Sequence, residues 1–413
     1  MAVKYQVRRT CRLCDSTAVT AVVPIRPSPI ADAYVPASSC HEKQDLYPLD
    51  LYLCRRCGHV QLLTVVDPHV LFREYLYTTS LSAGLVEHFR KYVDDFLGRF
   101  TCAPGALAVD VGSNDGTLLR FFQERGWRVR GVDPATEIAR RATASGIETI
   151  PAFFTSGLAK EIRQHSGAAA VITANNVFAH SDSLPDMAEG VRELLADEGV
   201  FVFEVSYLLD IVEKLLFDTV YHEHLCYHSI APLDRFFRSH GLELFDVVRL
   251  PTKGGSLRGF VQHRDGQQRR SEVVSELLAG EEGMGLARPV IFQQFSATID
   301  AIGQQLRELL ERLKNEGRVI AGYGASATVT TLIYHFQLAQ YLDFLVDDNP
   351  SRQGLFSPGA HLPVLEPQAL RERAVDYTVI LAWQYADPIR QRNQAFLDRG
   401  GRFILPMPRV QVM

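Results

Sequence analysis

An apolar run that halts in a glycine-bearing turn and restarts as a helix limits what a chain can become. Leu107-Ala-Val-Asp110-Val-Gly112-Ser-Asn114-Asp-Gly116-Thr-Leu-Leu is such a run. A strand that feeds a helix returns to a parallel neighbour, so the pattern predicts an α/β sheet whose ligands bind at the carboxyl ends of its strands. Glycines at 112 and 116 let the backbone approach a ligand closely, and N–H groups at a helix start favour negative or electron-rich groups. The spacing is not GxGxxG, which argues against a dinucleotide fingerprint here.

The residues downstream extend the unit. A strand at 127–133 ends in Asp133, an acid able to accept both hydroxyls of a ribose. A helix over about 136–145, a short strand at 148–150, Phe153-Phe154 and a strand at 169–174 lead into Asn175-Asn176. A helix over about 184–195 and a strand at 199–204 complete five strands; runs at 242–249 and 257–262 would be the sixth and seventh. Alone, DxGxxxG is as readily a plain strand–helix turn. With Asp133 and Asn176 at the carboxyl ends of their own strands, the ligand site is the stronger reading. Asp110-x-Gly112-x-x-x-Gly116 resembles the first motif of class I S-adenosylmethionine-dependent methyltransferases, which makes Asp110, Gly112, Asn114, Gly116, Asp133 and Asn176 the expected cosubstrate contacts.

Near the N-terminus stand two CxxC knuckles, Cys11-Arg-Leu-Cys14 and Cys54-Arg-Arg-Cys57, with 39 residues between Cys14 and Cys54. A two-residue gap lets both thiolates of a knuckle reach one tetrahedral ion, and two knuckles complete a Zn2+ site. Neither pair opens a helix after a thioredoxin-like strand, so a redox role is disfavoured. Cys40 and His41 lie between the knuckles as rival ligands. A closed shell of four thiolates is structural, replacing a core that a short segment barely supplies.

From Tyr221 to His228, His, Tyr and Glu fill six of eight positions. The His222-Glu223-His224 triplet lacks the helical i, i+4 histidine pair of a zincin, and any one of these histidines alone would be taken as structural. Their density after the fifth strand favours acid–base chemistry. An extended segment would split Tyr221 and Glu223 from His222 and His224, whereas a turn would bring them together.

The knuckles, VDVGSNDGTLL, NNVFAH, YHEH and Lys253-Gly-Gly-Ser256-Leu-Arg258 occur in one order. Over nearly the whole chain, this set resembles the three-domain sugar C-methyltransferases that act on dTDP-4-keto-6-deoxy sugars. The resemblance implies a zinc-binding domain (1–78), a methyltransferase domain (79–265), and a helical bridge with a Rossmann-like domain (266–413). It places the family's catalytic groups on Tyr75, His180, Tyr221, Glu223 and His224, with Tyr77 competing for the first. His224 is the first choice of base, with Tyr221 as rival; Glu223 would orient or tune a histidine, and His180 and Tyr75 would support the ketone oxygen. The expected reaction is methyl transfer to C-3′ through an enolate, with C-5′, or O- or N-methylation, as alternatives.

A second strand–turn–helix, Arg318-Val-Ile-Ala-Gly322-Tyr-Gly324-Ala-Ser326, suits either a pyrophosphate or NAD. The resemblance favours the nucleotide part of the sugar, with Lys253, Ser256 and Arg258 as further contacts. The stripe Phe292, Phe295, Ile299, Ile302, Leu306, Leu309, Leu313 predicts a core-packed helix ended by Gly317. A net charge of −5 lacks the basic surplus a nucleic-acid binder needs. No run reaches the roughly 20 apolar residues of a membrane span. Residues 1–10 lack the apolar stretch of a secretory signal, and no apolar run comes after Arg8-Arg9. Cytoplasmic location and a monomer, with oligomers left open, are the expectations.

Overall fold

The glycine-bearing run becomes the first strand of a seven-stranded sheet. The computed structural model describes residues 5–72 and 78–413. The strands are β1 (Leu107–Val111), β2 (Arg128–Val132), β3 (Thr149–Ile150), β4 (Ala169–Asn175), β5 (Leu195–Ser206), β6 (Leu242–Leu250) and β7 (Ser256–His263). Their order is β6-β7-β5-β4-β1-β2-β3. β1 to β5 run parallel, while β7 is antiparallel to both β5 and β6. Every residue of β1 is buried, as expected of a parallel strand covered by helices on both faces. The order reverses between β1 and β4, which opens a crevice at their carboxyl ends.

The N-terminal segment forms its own antiparallel sheet from Val19–Val23, Leu51–Cys54 and Val60–Leu62. Its fourth strand is Cys226–Tyr227, contributed from beyond β5 and paired antiparallel to Val60 and Gln61. That connection was invisible in the sequence, since two residues make no periodic signal.

The apolar stripe lies on the helix Pro289–Asn315, with Leu306 and Leu313 in the core and Leu309 half-buried beside a fully buried Leu310. Beyond it, Phe344–Val346, Val364–Leu365, Ile320–Tyr323, Tyr377–Ile380 and Arg402–Leu405 form a parallel sheet with Gln411–Val412 antiparallel at its edge. Two short helices, Ala386–Arg392 and Gln394–Leu397, follow one another in this lobe. The break falls at Asn393, whose side-chain amide donates back to the Ile389 carbonyl and so competes with the helix ladder. The loop between the first two N-terminal strands grips this last lobe: Thr330 Oγ1 donates to the Ala31 carbonyl at 2.7 Å, and Arg352 donates to both oxygens of Asp32 at 2.6 Å. Among the described residues, no helix is long and apolar enough to cross a membrane.

Candidate active site

The turn after β1 is shaped around a ligand. Gly112 has φ +70°, and a Cβ there would lie 2.2 Å from Val177 Cγ2. Asp133, after β2, accepts from the Asn114 N–H through Oδ2 and from the Ala135 N–H through Oδ1, both at 2.8 Å. Burial raises its pKa, and these two N–H groups oppose the rise. Asp110 accepts from Thr173 Oγ1 at 2.6 Å, and burial pushes it up to about 7. Gly116 caps the helix Thr117–Gln123 with φ +78°. Asn176 (φ +56°) donates its N–H to the Glu204 carbonyl at 2.7 Å. Sequence reasoning passed over Asn175: its amide N and O are both buried near the Tyr92 hydroxyl, with no full hydrogen bond among the described residues. An orphaned amide at the end of β4 fits a ligand that completes it. Asp110, Gly112, Asn114, Asp133, Asn175 and Asn176 all line one cavity of ≈ 410 Å³.

The cluster after β5 lines the same cavity. A turn closed by His224 N–H to the Tyr221 carbonyl, at 2.9 Å, brings alternate residues together. The Tyr221 and His224 rings lie 4.0 Å apart, and His180 stacks on His224 at 5.2 Å. His224 Nδ1 sits 2.7 Å from the Thr219 carbonyl. A carbonyl can only accept, so Nδ1 carries the proton and Nε2 keeps its lone pair. Burial, assisted by Lys253, brings the His224 pKa down to about 4 even though the Thr219 carbonyl favours the cation. His180 is depressed by burial, His224 and Lys253, and its Nε2 is buried without a partner among the described residues. Glu223 is pushed up to about 8 by burial and Asp32, against the pull of Lys253 and Arg352. His222 also lines the cavity, with its Nε2 3.3 Å from the Tyr47 carbonyl of the N-terminal loop. Tyr75 and Tyr77 lie outside the described residues.

Lys253 also lines an open cleft of ≈ 570 Å³, between the central sheet and the last lobe, with Lys214, Trp383 and Tyr385. It therefore stands where the two spaces meet. The other expected substrate contacts are elsewhere. Arg258 on β7 faces Glu204 across the strand pair, donates to it at 3.0 Å, and lies over the Tyr92 ring at 4.0 Å. Burial opposes the Glu204 carboxylate, but His88 and Arg258 hold its pKa below the usual value. Ser256 donates to the Thr252 carbonyl at 3.0 Å. Neither Ser256 nor Arg258 lines either space, because the β5–β7 pairing turns both inward. Around Gly322 the room for a Cβ is filled by Leu381 and Leu345, and around Gly324 by Ala382. These two glycines permit close packing of protein on protein. Ser326 is exposed and 3.0 Å from Thr328 Oγ1.

The four knuckle cysteines gather as expected. Their Sγ atoms all lie within 4.8 Å of one another, with Cys11–Cys57 at 3.5 Å and Cys14–Cys54 at 3.6 Å. Tetrahedral zinc with bonds of about 2.3 Å needs sulfurs about 3.8 Å apart, so the set fits. Cys40 and His41 are not part of the group.

The strand order, the reversed β7, the glycine turn after β1 and the acid after β2 define a class I S-adenosylmethionine-dependent methyltransferase fold. Family profiles match in succession: a zinc binding domain over residues 11–72, a methyltransferase domain over 85–247 and a C-methyltransferase C-terminal domain over 251–408. The C-methyltransferase NovU of Streptomyces niveus is 35% identical over 404 residues, covering 98% of this chain and 96% of that protein. Among solved structures, the magnesium protoporphyrin IX methyltransferase of Synechocystis PCC 6803 with bound S-adenosylhomocysteine aligns with 43% of this chain and 84% of its own, at 18% identity and a TM-score of 0.33. The 1,6-didemethyltoxoflavin-N1-methyltransferase of Burkholderia thailandensis aligns with 44% of this chain and 78% of its own, at 19% identity and a TM-score of 0.32. The chain belongs to the S-adenosylmethionine-dependent C-methyltransferases with an N-terminal zinc-binding domain.

Proposed function

We propose that the acceptor is a dTDP-4-keto-6-deoxy sugar, methylated at C-3′ through an enolate. One observation carries this reading: a single cavity is lined both by the Gly112 turn with Asp133 and by Tyr221, Glu223 and His224. Carbon is a poor nucleophile unless a neighbouring carbonyl acidifies its C–H, and a 4-ketone does so at C-3′ and C-5′. S-adenosylmethionine, cradled by Asp110, Gly112, Asn114, Gly116, Asp133 and Asn176, supplies an electrophilic methyl on sulfur.

His224 acts as the base. It is neutral with Nε2 free, so it can take the C–H proton as the electron pair moves onto the ketone oxygen. The imidazolium and enolate form together, so each stabilises the other in a space poor in water. Glu223, still protonated at neutral pH, is a donor for the developing oxyanion, supported by His180, Tyr221 and, from the family resemblance, Tyr75. The sugar occupies the cavity and the nucleotide the adjoining cleft. Trp383 and Tyr385 offer faces for a base there, and Lys253 at the junction meets the diphosphate.

The test is solvent deuterium exchange at the reacting carbon without methyl transfer. His224→Asn should slow exchange by about a hundredfold or more, within the range for a lost general base. Undiminished exchange removes His224 as base. NMR of the product identifies the carbon: a new methyl on C-5′ refutes the assigned position, and a product from a sugar without the 4-ketone refutes the enolate.

A further inference from the structure

The stretch leading to Tyr221 is held by the C-terminal lobe. The ring of Phe217 meets His335 at 5.1 Å and Phe336 at 4.9 Å, both on the helix Ala327–Phe336. From the same helix, Thr331 Oγ1 donates to the Val220 carbonyl at 2.7 Å. Between these contacts, Trp383 Nε1 donates to Asp218 Oδ2 at 2.8 Å. Asp218 is buried; the backbone N–H groups of Asp218 and Thr219 also favour its carboxylate, and its Oδ1 has no full hydrogen bond among the described residues. The indole N–H is thus the side-chain donor that satisfies a carboxyl from another lobe. Asp218 adjoins Thr219, whose carbonyl accepts from His224 Nδ1. The Trp383 ring meanwhile lines the ≈ 570 Å³ cleft.

We propose that Trp383 and Asp218 are a positioning pair: the indole N–H fixes the Asp218–Thr219 peptide, and through the Thr219 carbonyl it fixes the tautomer of His224. The inference rests on the reading of His224 as base. If the indole N–H is lost, Asp218 keeps a buried carboxyl without its donor and the turn relaxes toward water. A modest rotation of the Thr219 carbonyl then breaks a 2.7 Å bond. The imidazole proton can move to Nε2, the atom that must accept, and the base is lost without being mutated. Because the same indole faces the cleft, a nucleoside diphosphate seated there acts on the part that sets the imidazole. Binding energy far from the reacting carbon would then appear in kcat.

Trp383→Phe keeps a ring in the cleft and removes the donor. We expect kcat to fall about tenfold or more, with KM for the nucleotide sugar within about threefold of wild type. The 15N resonances of His224 should show its proton shifted toward Nε2. Asp218→Ala should act in the same direction, and the double variant should fall no further than the worse single one. Unchanged kcat and unchanged 15N shifts in Trp383→Phe overturn the proposal. So does a rise in KM alone, which makes Trp383 a ligand contact only, and so does a fall in kcat with the tautomer unmoved. Failure of the underlying reading is separately visible: His224→Asn would then leave exchange undiminished, whatever Trp383→Phe does.

Discussion

Gly112→Ala tests whether the turn after β1 is the cosubstrate cradle. At φ +70° an alanine costs about 1–2 kcal/mol relative to glycine. The added Cβ would sit 2.2 Å from Val177 Cγ2, where carbons prefer about 3.5–4.0 Å, so one of the two has to retreat. Overpacking of this kind costs about 1–3 kcal/mol. Together the substitution should cost about 2–5 kcal/mol. Val177 is next to Asn176, so the displacement passes directly into the cavity wall. Titration calorimetry with S-adenosylhomocysteine should show affinity reduced at least about tenfold, equivalent to about 1.4 kcal/mol, together with a lower first thermal transition. Adding Val177→Ala removes the offending methyl and should recover the overpacking part while leaving the backbone part. A Gly112→Ala protein that binds S-adenosylhomocysteine within about twofold of wild type refutes the argument, since the cradle would then have room the structure denies it.

Charge supplies two more tests. Glu223 is pushed up to about 8 in the folded protein against an ordinary 4.5. The unfolded chain ionises first, so folding stability falls between those pH values and levels above them, by at most about 1.4 kcal/mol per pH unit. Glu223→Gln should therefore raise the melting temperature increasingly from pH 5 to pH 8 and leave it unchanged at pH 4.5; a pH-independent difference defeats the assignment. Arg12, buried between the knuckle cysteines, donates to Asp182 at 2.9 Å, to Gln61 at 3.2 Å and to the Leu62 carbonyl. Arg12→Met should lower the melting temperature and reduce turnover while zinc content stays at one per chain by metal analysis; full turnover would show that the knuckle does not support the His180 loop.

The first strands and their turns were legible because runs such as β1 and β2 are short and stop at a glycine or an acid, so local pattern and tertiary role coincide. The cysteines were legible because metal geometry fixes their spacing. Beyond reading lay anything decided by a partner distant in sequence. Arg258 looks like a free cation beside two glycines. Only the β5–β7 register sets it opposite Glu204 and commits its guanidinium there. Gly322-x-Gly324 has the form of a phosphate turn, yet a Cβ at either glycine would meet Leu345, Leu381 or Ala382, so close packing already calls for glycine there. Trp383 comes after an apolar strand without any marker of a bond to Asp218, 165 residues away. Whether Tyr221 and His224 would converge depended on one backbone hydrogen bond that periodicity cannot encode.

The convergence of Tyr221 and His224 bears on why three lobes meet around one short segment of chain. From Phe217 to His228 the chain has one 3₁₀ turn and a two-residue strand, too little structure to hold polar groups in register unaided. Its front is fixed by the last lobe through Phe217, Asp218 and Val220. Its back is fixed by the N-terminal sheet: Leu62 N–H donates to the Leu225 carbonyl at 2.9 Å, and Cys226 pairs with Gln61. Cys226 N–H also donates to the Ala179 carbonyl at 3.0 Å, tying the segment to the residue before His180. The strand that receives Cys226 begins three residues after Cys57, so its order depends on the metal knuckle. The cysteine knuckle and the last lobe thus have the same physical task, to make a loop as rigid as a strand at the place where imidazole and phenol meet.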